Sequence, residues 1–223
     1  MIRIKALELP KIPEGGGTIS NLAFQKQDPN RCSVFLDETY AFGLHVDIVM
    51  QRDLKKGLFL SEQQCNELAD EDLYFKAMKR CMDFIAYRPR SQSEIDSRLK
   101  QLGVSEEIAQ RVAGRLVELN LVNDAEYARM FVESRIRSRG FGRFRIKQEL
   151  IQKGIESSVA DATLDKLYTA ENEQSQLVKL IAAAKRKYRN ETDQKVQTNK
   201  ITSFLVRKGF DGHAIREQLK ASE

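Results

Sequence analysis

The residues best placed to do chemistry lie in one thirteen-residue run, Arg135-Ile-Arg-Ser-Arg-Gly-Phe-Gly-Arg-Phe-Arg-Ile-Lys147. Arg135, Arg137, Arg139, Arg143, Arg145 and Lys147 fall in it without an acid, and Phe141 and Phe144 lie among them. Arginine forks match phosphate or carboxylate in two-point contacts. Gly140 and Gly142 would let backbone N–H groups come close to an anion. The same joint is basic elsewhere, as Arg88-Pro-Arg90 and as Lys185, Arg186, Lys187 and Arg189. The chemistry is therefore anion binding. A competing reading makes the arginines helix caps and the phenylalanines filler of a helix seam.

Signatures of catalysis are missing. There is no GxxxxGK[ST] loop, and Gly140-Phe-Gly142 is too short for a dinucleotide fingerprint. Asp70-Glu-Asp72 is a carboxylate cluster, but it reads as the acidic first turn of a helix. Cys32, Cys65 and Cys81 share no metal-binding spacing, and His45 and His213 lie near no cysteine. Reduced thiols, no apolar leader at the N-terminus and no run of roughly 18 apolar residues point to a soluble cytoplasmic protein with no metal and no membrane contact. Net charge is +5 over 223 residues, but residues 1–70 carry −2 and the remainder +7, so the basic part is the part that holds the arginine run.

What positions these residues is a helical pattern written three times. Leu99, Gly103 and Val104 recur as Leu150, Gly154 and Ile155, and again as Leu205, Gly209 and Phe210. A glycine four residues after a leucine suits the left-handed residue that ends a helix. A small apolar residue follows at the fifth position, Ile108, Val159 or Ala214. A period of about fifty residues means stacked helical units, none able to bury its apolar face alone. Three helices are expected in each: 73–87, 91–102 and 105–120; 125–137, 143–153 and 156–167; 173–187, 193–208 and 211–220. Ser91 with Glu94 makes a capping box. Ile108, Val112, Leu116 and Leu119 form a core stripe.

Ahead of the repeats, residues 1–17 read as a mobile lead-in with Gly15-Gly16-Gly17. Residues 18–69 read as a three-stranded meander with turns at Asp28-Pro-Asn30 and Asp37-Glu38, followed by short helices at 45–52 and 61–69. Units of 70–121, 122–170 and 171–223 complete a mainly α chain.

Arg88-Pro-Arg-Ser91 with Glu94, Leu99 and Gly103, Leu119-Asn-Leu-Val-Asn-Asp-Ala-Glu-Tyr-Ala128, Ser138-Arg-Gly-Phe-Gly142, Lys147-Gln-Glu-Leu150 with Gly154, and Phe204-Leu-Val-Arg-Lys-Gly-Phe210 with Ile215 follow one another in a fixed order. In that order and spacing the chain resembles the RecX family, regulators of the RecA recombinase. Phe35-Leu-Asp-Glu-Thr-Tyr-Ala-Phe42 and Leu54-Lys-Lys-Gly57 resemble the N-terminal extension of its longer members. Thr198-Asn199 departs from the family, which is more basic there. The resemblance implies three tandem three-helix units in an elongated, curved module, binding in the groove of a RecA–single-stranded DNA filament. It implies a modulator with no cofactor and no chemistry of its own, which lowers filament growth, ATP hydrolysis, strand exchange and co-protease activity. The basic turns would contact RecA or DNA directly, from a monomer. The alternative is a helix-turn-helix regulator reading duplex DNA, although cations at turns suit phosphate or protein contact better than base readout.

Overall fold

The computed structural model describes residues 6, 7 and 10–221, with the side chains of residues 138 and 139 outside that set. The described residues form ten helices and an antiparallel sheet of four strands, and divide into two compact units. Among these residues, one unit comprises those up to 88 together with 95–121; the other comprises 89–94 together with 122–221.

In the first unit, β1 (Gly17–Gln25), β2 (Asp28–Leu36) and β3 (Thr39–His45) alternate exposed and buried residues and pair as a meander. Asp37 and Glu38 both take positive φ, the geometry that suits a two-residue hairpin turn. The first turn falls at residues 26 and 27, not at Asp28-Pro-Asn30, which lies inside β2. Phe24 pairs with Cys32 but Gln25 with Asp28, so Pro29 sits in an irregular stretch of the ladder that asks no N–H of it. A fourth strand, β4 (Phe59–Leu60), pairs with Gly17 and Thr18, giving the order β3-β2-β1-β4. The glycine run serves this closure. Gly16 has φ +82°, and a Cβ there would lie 2.0 Å from the Leu60 carbonyl oxygen. Of the lead-in, residues 1–5, 8 and 9 lie outside the described residues.

After α1 (Val46–Gln51), one helix, α2 (Glu62–Tyr87), replaces the two expected at 61–69 and 73–87. Its capping box at Ser61 and Gln64 forms in both directions. No glycine or proline interrupts the chain before Pro89, so Asp70-Glu-Asp72 falls mid-helix and not at a helix start. Asp72 is buried there. Its carboxylate accepts two bonds from Arg31 (2.7 and 3.0 Å) and the N–H of His45 (2.9 Å), and it pairs with Lys76 at 2.8 Å. The carboxylate thus closes the end of edge strand β3 against α2. Ile19, Val34, Phe42, Leu44 and Ile48 form the core beneath.

The repeats follow the expected rhythm. α3 (Gln92–Leu102) and α4 (Glu106–Glu118) complete the first set of three helices with the second half of α2. Ile108, Val112 and Leu116 are buried, but Leu119 caps α4 and is 46% exposed, because the helix ends before it can reach the core face. α5 (Asp124–Arg139), α6 (Arg143–Gln152) and α7 (Ser157–Leu167) form the second set. α8 (Ala170–Lys187), α9 (Gln194–Lys208) and α10 (Gly212–Lys220) form the third. In these two sets the fully buried residue after the glycine is the sixth, Ala160 and Ile215, with Val159 and Ala214 partly buried beside it.

Candidate interaction surface

The candidate positions lie at the ends of the middle helix of each three-helix set. Gly103, Gly154 and Gly209 all take φ between +72° and +90°, as the spacing predicts. The carbonyl just before each glycine, one of the orphan acceptors of a helix end, is met from a segment earlier in the chain. Leu102 O accepts from the N–H of Leu7 (2.9 Å), Lys153 O from the hydroxyl of Ser91 (2.6 Å), and Lys208 O from the N–H of Gly142 (2.8 Å).

This joint changes the reading of the glycines. Gly142 N–H donates to Lys208 O and Phe144 N–H to Gly209 O (3.2 Å), so these donors of the α6 N-terminus are spent on the chain itself and are not offered to an anion. A Cβ on Gly142 would lie 2.3 Å from Gly209 O, which is why glycine stands there. Gly140 ends α5 in the left-handed region.

Several of the basic side chains also meet acids of their own chain. Arg135 pairs with Glu149 at 2.6 Å, Lys147 with Asp161 at 2.6 Å, and Arg143 with Asp165. Arg145 reaches Glu149 at 3.3 Å and donates to the carbonyl of Arg207 at 3.1 Å. The Lys147 hydrogen bond holds the Asp161 carboxyl below the usual carboxylate value. Burial raises that of Glu173, against the pull of nearby Arg143. Arg90 approaches Glu94 at 3.9 Å and is only 9% exposed, and Arg88 caps α2 half-buried. Arg137, Arg186, Lys187 and Arg189 are exposed, Lys185 is half-buried, and the Arg139 side chain lies outside the described residues. The expected basic run is therefore part ion-pair seam between α5, α6 and α7 and part exposed charge.

The two phenylalanines separate. Phe141 is buried and its carbonyl accepts the Tyr168 hydroxyl at 3.0 Å, whereas Phe144 is largely exposed. Cations lie over the neighbouring rings: Arg135 over Phe131 (4.3 Å), Arg145 and Lys208 over Phe141 (4.4 and 4.9 Å), and Lys187 over Phe204 (5.5 Å). Lys208 and Arg207 are members of this surface that the charge pattern missed, since they stand in the helix-end motif and not in the basic run. Lysine before a helix-ending glycine, repeated at Lys153 and Lys208, was the available signal.

Among the described residues no three His, Cys, Asp or Glu side chains gather as metal ligands, and no helix is long and apolar enough to cross a membrane.

Family models match the chain in four consecutive segments: the regulatory protein RecX N-terminal domain over residues 17–61, and the first, second and third RecX three-helix domains over 77–116, 123–164 and 171–219. The chain belongs to the RecX family. Similar relatives include the regulatory protein RecX of Clostridium acetobutylicum, 31% identical over 91% of this chain and 95% of that one. That of Oceanobacillus iheyensis is 31% identical over 88% of this chain and 74% of its own length. A crystal structure of regulatory protein RecX superposes with a TM-score of 0.76 at 31% identity, covering 90% of this chain and 98% of that one. RecX from Lactobacillus salivarius gives 0.62 at 26% identity, covering 66% of this chain and 95% of that one. The mainly helical fold with three RecX three-helix domains behind an antiparallel meander is that of the family.

Proposed function

We propose that this RecX-family chain is a non-catalytic modulator of RecA. It acts in the cytoplasm as a negative regulator, seated in the groove of the RecA–single-stranded DNA filament and limiting filament growth. ATP hydrolysis, strand exchange and co-protease activity fall with it. The observation that carries this reading is the ordered family match, in four segments, through the N-terminal strands and all three three-helix domains.

The physical reading agrees with it. A protein with one cationic joint per repeat can engage a repeating anionic partner at several points, and each contact supplies little alone. Exposed Arg137, Arg186, Lys187 and Arg189 are the side chains ready for such contact. Arg143 and Lys147 must first leave Asp165 and Asp161. Arg88, Arg90, Arg135, Arg139, Arg145 and Lys185 remain members of the proposed contact set.

The test is ATP hydrolysis by RecA of the same cell on single-stranded DNA, with this protein titrated in below the RecA concentration at fixed salt. Loss of hydrolysis at substoichiometric protein is expected, with a non-specific DNA-coating protein as the control for competition. Unchanged hydrolysis at equimolar protein overturns the reading.

A further inference from the structure

Phe144 has no structural task that explains it. It stands in the first turn of α6 at 55% exposure, and it takes part in no ring contact among the described residues. Yet its backbone is held firmly, through the N–H bond to Gly209 O. That bond sets it one residue from Lys208. Its other neighbour, Arg145, is tied to the Arg207 carbonyl. Lys208 shares the Phe141 ring with Arg145, and shares the Phe204 ring with Lys187 (5.8 and 5.5 Å). The cations thus continue from one shared ring to the next, beside one exposed aromatic. Glu149 takes part of the charge of Arg145, while Lys187 and Arg207 meet no acid among the described residues.

We infer that Phe144 is a stacking platform for a base of single-stranded nucleic acid, whose phosphates follow the cations over Phe141 and Phe204. Phe141 is buried and Phe204 partly buried beneath their cations, whereas Phe144 is exposed and meets no cation among the described residues. A ring face next to a basic track is the arrangement that binds single strands with little regard to sequence. A duplex keeps its bases stacked inside and offers this ring nothing, so the preference is for the single strand. The inference rests on the proposed function only in that a RecA filament presents such a strand. Its binding measurement needs no RecA.

The experiment is fluorescence anisotropy of the full chain with a labelled oligo(dT). Phe144→Ala weakens binding about tenfold, the effect of removing one stacked base. Phe144→Trp retains it, and Phe144→Leu behaves as the alanine variant. Lys187→Ala lowers the slope of log affinity on log salt by about 0.7, one phosphate contact on a single strand. Phe144→Ala leaves that slope unchanged. An alanine variant with wild-type circular dichroism and wild-type affinity overturns the inference, as does equal affinity of the wild type for a duplex of the same length. RecA hydrolysis separates the two readings. Wild-type protein that binds oligo(dT) through Phe144 but leaves RecA untouched sinks the filament role and keeps the platform. A Phe144→Ala protein that loses RecA inhibition with full oligo(dT) affinity makes Phe144 a protein contact and sinks the platform.

Discussion

Two regions of this molecule handle charge in opposite ways. In the first unit, one buried carboxylate, Asp72, gathers Arg31, Lys76 and a strand N–H. In the second, Arg143 and Lys147 meet Asp165 and Asp161 in pairs that water reaches. Buried, a charge that loses its partner is strongly destabilising, whereas an exposed pair contributes little and competes with salt. Asp72 therefore belongs to the architecture, holding the end of the sheet against α2. The exposed pairs are exchangeable, and an anionic partner can take over their cations with small loss to the fold.

The comparison breaks most readily at Asp72. Asp72→Ala should lower stability by about 3–5 kcal/mol, since it leaves Arg31 and Lys76 without their counter-charge. Urea unfolding measures this, and a loss under about 1 kcal/mol would place Asp72 with the surface pairs. Gly154→Val comes next, at about 3 kcal/mol, because a β-branched residue meets both a φ of +79° and Ser93 Cβ, which would lie 2.2 Å from the new Cβ. Gly103→Ala, with φ +72° and only Ala6 at 3.7 Å, should lose about 1–2 kcal/mol, the cost of backbone strain without a clash. Asp165→Asn should move stability by no more than about 0.5 kcal/mol. It should raise oligo(dT) affinity a few-fold by releasing Arg143, and unchanged affinity would remove Arg143 from the contact set.

The smallest effect is on the acid limb of stability. Backbone N–H groups of Ala214 and His213 lower the Asp211 carboxyl, as Lys147 lowers that of Asp161. Groups lowered on folding stabilise above the unfolded value near 3.8 and lose that contribution as the pH falls through the folded one. Glu173, raised by burial, acts in the opposite sense. The urea midpoint should therefore hold from pH 7 to about 5 and fall below about 3.8. Asp211→Ala should make that fall shallower, and an identical pH profile would show that the cap carries no share of it.

Much of this was legible beforehand because it depends on neighbours in the chain. Helix-ending glycines, the Ser91 capping box and the Asp37-Glu38 turn are local chemistry, and each appears at its expected place. The pattern failed where distant residues decide. β4 is two residues long and exists because Gly17 and Thr18 offer it an edge. Asp70-Glu-Asp72 resembles a helix start until Arg31, 41 residues away, supplies the partner that lets Asp72 be buried mid-helix. Phe141 and Phe144 look alike in sequence, but packing buries one and leaves the other in solvent. The acids that occupy Arg135 and Arg143 lie 14 and 22 residues on, beyond what charge clustering can reveal.

The joint at each helix-ending glycine also has a direction in time. In all three, the donor is synthesised before the acceptor. Ser91 leaves the ribosome 62 residues ahead of the carbonyl that receives it, and Gly142 likewise precedes Lys208. A nascent repeat therefore carries unmet donors at its middle helix until the following repeat has been made, and a chain released early ends on open N–H and O–H groups. Shortened from the front, the same array would leave only carbonyls unmet, the more tolerable deficit. The array is latched from behind, its first two repeats each completed by residues that do not yet exist when they emerge.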